Sequence, residues 1–424
     1  MEQIKKASAR EVLDSRGNPT LEAEVLLSSG FFASAIVPSG ASTGTHEAKE
    51  LRDEDSKRYN GKGVLKAVNN VNTTISDAIE GMDPMRQKEI DKKMIEIDGT
   101  KNKSRLGANA ILAVSIAISK VAALTRRTNL FQHFANITKK GFATLMPMPF
   151  FNIINGGVHA NNNLDIQEFM LVPTGAERFS QALQIGAEVF HALGKILKEK
   201  KLSTSVGDEG GYAPLIKTHE EAIELILAAA EKAGHLSNVK IALDVAANEF
   251  YDSEKGIYNF SKSKKNTDEM IKFFEKLVQK YPIVSIEDPL GEDDFESWSR
   301  LNEVVGKNVQ IVGDDLFVTN PERIQQGIEE EAANAVLIKP NQIGTITETI
   351  TSIDLAQKAE MGIMISHRSG ETEDTTIADL AVGLGSGQIK TGSLSRSERI
   401  CKFNRLLKIE EYLAGKAEFY NKFI

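Results

Sequence analysis

The feature that most constrains this chain is a rhythm. From about residue 165, short apolar runs recur, each closing on a polar or charged residue: DIQEFMLV, STSVGDE, VKIALDV, PIVSIED, QIVGDD, AVLIKPN and GIMISHR. Their chemistry-bearing ends fall at Glu209, Asp244, Glu287, Asp314, Lys339 and His367, roughly 25 to 43 residues apart. That spacing suits one strand plus one returning helix, and THEEAIELILAAAEKA reads as such a helix. Repeated βα units predict an α/β chain closed into a TIM-like (β/α)8 barrel. Strand C-terminal ends converge on one mouth of such a barrel, so these six residues should face one another.

The first third differs. TLEAEVLL partly alternates, SSG turns and FFASAIV follows, which is a hairpin signal. From about Gly63 the period becomes helical, through VLKAVNNVNTTISDAIE, a segment opening at Pro84, and a third helix from about Asn109 to Arg127. We therefore expect an N-terminal α+β capping domain over residues 1–138 and a barrel over residues 139–424.

Composition removes some functions. A net charge of -8 argues against nucleic-acid and anionic-membrane partners, though not against a small anionic substrate. One cysteine, Cys401, cannot form an intramolecular disulfide and lies in a helical-looking run, so a structural role in a reducing compartment is expected. MEQIKKASAREVLDSRG carries no apolar stretch of signal length, and ANAILAVSIAISKVAAL is too short and too rich in Ala and Ser to span a bilayer. The expectation is a cytoplasmic protein without membrane insertion; surface display or unconventional secretion stays open.

The six strand ends carry chemistry. Asp244, Glu287 and Asp314 would repel one another unless a cation joined them. Oxygen ligands without a Cys or His cluster favour magnesium. Alternation along a strand should turn only one of Glu287 and Asp288, and one of Asp314 and Asp315, inward. Lys339 beside such dications would have a lowered pKa, as a general base requires. Glu209, in the glycine-flanked SVGDEGGYAP, is a candidate general acid on a loop able to move over a ligand. His367, Arg368 and Ser369 in SHRSGETED, with Lys390, suit anion recognition. VPSGASTGTHE is a small-residue loop whose Ser39, Ser42 and Thr43 hydroxyls would bind metal or phosphate, and NIINGGVHANNNLDIQEFM adds His159, Gln167 and Glu168.

SRGNPT, PSGASTG, GDEGG, SIEDPL, KPNQIGT, SHRSGETED and IKTGSLSRSER, in this order and spacing, closely resemble the enolase family over essentially the whole chain. The resemblance implies reversible dehydration of 2-phospho-D-glycerate to phosphoenolpyruvate, on a barrel that begins ββαα with its second strand reversed. It implies Glu209 as proton donor and Lys339 as proton acceptor. It implies Asp244, Glu287 and Asp314 at a first magnesium, and Ser42 at a second that arrives with substrate. Gln167, Glu168, His159, His367, Arg368, Ser369 and Lys390 would line the substrate pocket. A homodimer or larger ring is the family's usual assembly. Pro340 and Val158 depart from the family's commoner residues; Pro340 should restrict Lys339 to extended backbone. Alternatives are another metal-dependent dehydratase or racemase, a surface-displayed host-protein-binding role as a second function, or a structural role without catalysis.

Overall fold

A computed structural model describes residues 2–40, 44–139 and 141–422. Its first sheet is antiparallel, in the order β1 (Ile4–Leu13), β2 (Pro19–Leu27), β3 (Phe32–Ile36). The β2–β3 hairpin is the expected one. Strand β2 follows a period of two: Leu21, Ala23, Val25 and Leu27 are buried, while Glu22 and Glu24 face the other side. Strand β1 escaped the sequence reading because IKKASAREVL buries only Ile4 and Ala7, too few apolar positions for a visible alternation.

Helix Ala108–Thr125 covers this sheet and touches helices Pro340–Ile343 and Ile346–Lys358 of the second half. It is long and apolar enough to cross a membrane by composition, yet 83% of it is buried inside the protein. Packing on more than one side accounts for its all-round apolarity. Pro84 does not open a helix. The helical segment begins at Gln87 and ends at Asp98, before Gly99 at φ +70°.

Eight strands close the barrel in chain order: β4 (Met148–Asn155), β5 (Glu168–Val172), β6 (Lys240–Asp244), β7 (Ile283–Glu287), β8 (Gln310–Gly313), β9 (Ala335–Ile338), β10 (Gly362–Ser366) and β11 (Gly387–Lys390). Strand β5 runs antiparallel to both neighbours, and every other pairing is parallel. The reversal expected from the family resemblance is therefore present. STSVGDE, expected as a barrel strand, is instead an irregular loop with one isolated bridge, Val206 to Tyr212. Strands β4 and β11 were missed: MPFFNIIN reads equally as buried helix, and GQIK is too short to carry a period.

Inside the barrel the side chains change character with height. Met148, Phe150, Met170, Val172, Ala242, Val312, Ala335, Leu337 and Met364 form one buried cluster. Two residues further along their strands, toward the mouth, stand Asn152, Asp244 and Lys339. Because β5 is reversed, its first residue, Glu168, lies at the mouth and pairs in register with Asp244, which pairs with Glu287.

The reversal also explains Glu209. Strand β5 ends away from the mouth, so helix Phe179–Glu199 runs back toward it and helix His219–Lys232 runs away again. The connection between this helical pair carries Glu209 to the mouth. Thr218 caps the second helix, its hydroxyl accepting from the Glu221 N–H at 3.2 Å.

Candidate active site

The mouth holds a small polar cavity lined by residues from nearly every strand end, among them Glu168, Glu209, Asp244, Asp314, Lys339, Arg368 and Lys390. Lys390 reaches from β11 across the barrel. Its Nζ lies 2.8 Å from Asp244 Oδ2, 2.9 Å from each Glu287 oxygen and 3.3 Å from Glu168 Oε1. Burial would lower this ammonium's pKa, but the three carboxylates hold it well above the usual lysine range. Burial, then repulsion from Asp244, pushes Glu287 well above the usual carboxyl range despite Lys390.

Lys339 stands on another wall, its ammonium hydrogen-bonded to Asp314. Pro340 occupies the first position of a short helix, and Lys339 has φ −124° and ψ 104°, the extended backbone its proline neighbour demands. Burial works to lower the Lys339 pKa, but Asp314 outweighs it and the ammonium is held above its ordinary range. Gln342 Nε2 donates to the other Asp314 oxygen at 2.8 Å.

Alternation does not divide Asp314 and Asp315, which both line the cavity; of the other pair Asp288 lines it, while Glu287 is engaged by Lys390. Asp288 has φ +42°, which breaks the strand's alternation just past its end, and its carboxylate accepts the backbone N–H of Asp314 at 2.9 Å and of Asp315 at 2.8 Å. Burial, then Asp315 and Asp314, raises Asp288 well above its ordinary range. Burial and Asp314 bring Asp315 to about 7.

Glu209 Oε2 accepts from Asn152 Nδ2 at 2.9 Å, while Oε1 faces His367 Nε2 at 3.5 Å and His159 Nδ1 at 3.6 Å. Arg399 stands 2.6 Å from His367 Nδ1. A guanidinium can only donate, so Nδ1 accepts and the ring hydrogen sits on Nε2, toward Glu209. Burial, reinforced by Arg399, pushes His367 well below its ordinary pKa and keeps it neutral. Burial alone would raise Glu209, but the facing imidazoles and the fixed cations Arg399 and Lys390 hold it well below its usual range. Burial and the Glu209 charge push Glu168 the other way, well above the usual carboxyl range.

The loop bearing Glu209 is fixed rather than free to swing over a ligand. Four successive carbonyls accept hydrogen bonds from the segment after β11: Gly207 from Arg396 Nε at 2.9 Å, Asp208 from Arg399 at 3.2 Å, Glu209 from Ser393 N at 2.9 Å and Gly210 from Ser395 Oγ at 2.5 Å. Gly210, at φ +88°, leaves no space for a side chain, since a Cβ there would stand 2.6 Å from Ser395 O. Glycine serves close packing here.

The remaining expected residues converge too. Gln167 Nε2 lies 3.4 Å from Asp244 Oδ2, and Ser369 lines the cavity beside Arg368. Arg368 makes a double ion pair with Glu47, at 2.9 and 3.1 Å. Glu47, Asn152 and Arg399 are the residues the sequence reading missed. Glu47 was visible only as the last letter of VPSGASTGTHE, with nothing to mark it. Ser39 does not reach the cavity; its hydroxyl donates to Asp14 Oδ2 at 2.9 Å, and its backbone bridges Gly370. Ser42 and Thr43 lie outside the described residues.

Carboxylates from four strand ends, several carrying raised pKa values, form an oxygen donor set suited to a hard dication. Asp288, Asp314 and Asp315 offer oxygens within 4.8 Å of one another, as do His159, Glu168 and Glu209 in a second, mixed group. Asp244 and Glu287 are instead drawn together around Lys390.

An eight-stranded barrel with one reversed strand, capped by an α+β domain and holding acids, lysines and an arginine at its mouth, defines a class of metal-assisted acid–base enzyme. Residues 4–134 match the family model for the enolase N-terminal domain, and residues 143–423 match that for the enolase C-terminal TIM barrel domain. The chain belongs to the enolase family, whose members are divalent-metal lyases.

Proposed function

We propose that this protein interconverts 2-phospho-D-glycerate and phosphoenolpyruvate. The observation that carries the reading is the disposition of Lys339 and Glu209: two proton-transfer groups from different elements lining one mouth, together with Arg368, Ser369 and Lys390. A substrate with two anionic groups placed there meets cations at its carboxylate and phosphate ends. Lys339 takes the C2 proton. Glu209, beside a Glu168 whose carboxyl is raised well above its usual range, returns one to the departing C3 hydroxyl.

Asp244, Glu287 and Asp314 would hold magnesium, with Ser42 at a second ion that comes with substrate. When bound, magnesium supplies positive charge against the carboxylate that gains charge as C2 loses its proton. It would also offset the Asp314 charge that keeps Lys339 protonated. Residues 1–138 act as the cap and residues 139–424 as the catalytic barrel in this reading, and a homo-oligomer is its expected assembly.

The test is phosphoenolpyruvate formation from 2-phosphoglycerate, followed by ultraviolet absorbance with magnesium and then with a chelator. Magnesium-dependent turnover is expected. Lys339→Ala abolishes it while substrate still binds, and turnover within about tenfold of wild type would remove Lys339 as base. Glu209→Gln stops elimination but retains exchange of the C2 proton with solvent. Loss of both in a variant that binds metal and substrate normally refutes separate acid and base roles.

A further inference from the structure

We infer that Arg399 is a positioning residue for this reaction: it sets the tautomer of His367 and the location of the Glu209 carboxyl. Arg399 lies on helix Ser397–Leu413, outside the barrel strands, and is wholly buried. A buried guanidinium is retained at a cost unless its hydrogens are matched. One would expect it to be matched by a carboxylate. Its nearest is Glu398, 3.5 Å from Nε, and the outer nitrogens are directed at neutral acceptors instead.

Those acceptors all belong to the catalytic mouth. Nη1 donates to His367 Nδ1 and to the Arg368 carbonyl, both at 2.6 Å. Nη2 donates to the Ser369 carbonyl at 2.8 Å and the Asp208 carbonyl at 3.2 Å. One planar group therefore joins the loop after β10, which carries the anion-facing residues, to the loop that carries Glu209. The fork geometry of arginine spans both, where a lysine would supply one point of contact.

The consequence for His367 is chemical. Imidazole can place its hydrogen on either nitrogen, and a free ring exchanges between them. A donor locked against Nδ1 leaves the hydrogen on Nε2, the atom 3.5 Å from Glu209 Oε1. His367 then presents a hydrogen to the carboxyl at every turnover and never competes for its proton. Gly392 guards the same contact: at φ +80°, a Cβ there would stand 2.7 Å from Arg399 Cδ and 2.8 Å from the Glu209 carbonyl.

The catalytic part of this inference rests on the proposed function; the tautomer part does not, and the experiment separates them. Histidine-selective 15N labelling with long-range 1H–15N spectra reads the tautomer, and the His367 signal is identified by its disappearance in His367→Gln. Wild type shows the Nε2–H form at neutral pH. Arg399→Met, which keeps the stem and removes the donors, shifts His367 toward a mixture, and Arg399→Lys restores part of the Nε2–H population. With saturating 2-phosphoglycerate, Arg399→Met lowers elimination about 100-fold and lowers C2-proton exchange at least about tenfold less than that. An unchanged tautomer and unchanged elimination in folded Arg399→Met overturn the proposal. If that variant does not fold, wild type still decides: a protonated or Nδ1–H His367 at neutral pH overturns it. A wild type with the expected tautomer but no turnover refutes the assigned reaction and supports the placement of His367.

Discussion

His133 offers a measurement of burial energetics far from the catalytic chemistry. It lies on helix Leu130–Ile137, is 1% exposed, and neither ring nitrogen has a hydrogen-bond partner among the described residues. Burial, then the charge of Arg126, lowers its pKa from 6.5 to about 4. The folded value is below the ordinary one, so the unfolded chain binds this proton first. The stability His133 contributes is therefore whole above about pH 6.5 and is lost as pH falls toward about 4. Integrating the two titrations gives a loss of about 2.5 kcal/mol between about pH 7.5 and about pH 4.5. Asp91 works in the opposite sense. Burial raises it from 3.8 to about 6, so its contribution is whole below 3.8 and is lost as pH rises through about 6. Wild type alone would blur the two. His133→Leu, of similar volume, removes only the first, and every other group cancels in the comparison. Urea unfolding of both proteins, with chelator throughout, should show wild type losing about 2.5 kcal/mol relative to His133→Leu as pH falls over that range. A gap between the proteins that stays constant to within about 0.5 kcal/mol would refute the placement of an unpartnered neutral imidazole in this core.

Two further perturbations test the mouth. Gly392→Ala adds left-handed strain to a collision with Arg399 and the Glu209 carbonyl, and should cost about 2–4 kcal/mol by urea unfolding. Gly385→Ala, at φ +62° with nothing within 4 Å of the added Cβ, should show only the strain, about 1 kcal/mol; equal losses would deny the crowding at Gly392. Magnesium at roughly one hundred times its dissociation constant should stabilise wild type by about 2.7 kcal/mol, and Asp244→Asn should lose most of that gain. Thermal unfolding with and without chelator checks it, and identical wild-type midpoints would remove the metal site.

Much of the barrel was legible because parallel strands, buried on both faces, leave apolar runs that end at the mouth. Asp244, Glu287, Asp314, Lys339 and His367 were found that way. Glu209 is legible for the wrong reason: its run reads as a strand, and the true support is a helical pair whose direction follows from the reversal of β5. No periodicity reveals a strand's direction, since an apolar run reads alike both ways; the family resemblance supplied it. Strict alternation allows only one of Asp314 and Asp315 inward, yet both line the cavity, and Asp288 departs from alternation through its own positive φ. Arg399 was invisible because its partners are mostly carbonyls from segments about 30 and 190 residues away, and carbonyls leave no trace in side-chain pattern.

The helical pair behind Glu209 also acts as a gauge of length. Helix Phe179–Glu199 has 21 residues and spans about 31 Å, bringing the chain from the far end of the barrel to the mouth. One residue inserted in that helix would advance its end by about 1.5 Å and turn it by about 100°. The carbonyls of Gly207 to Gly210 meet donors fixed on another element, so they could not follow such a shift. Insertions and deletions tolerated in ordinary surface helices should therefore be excluded from this one. Its residue count belongs to the active site as much as any side chain does.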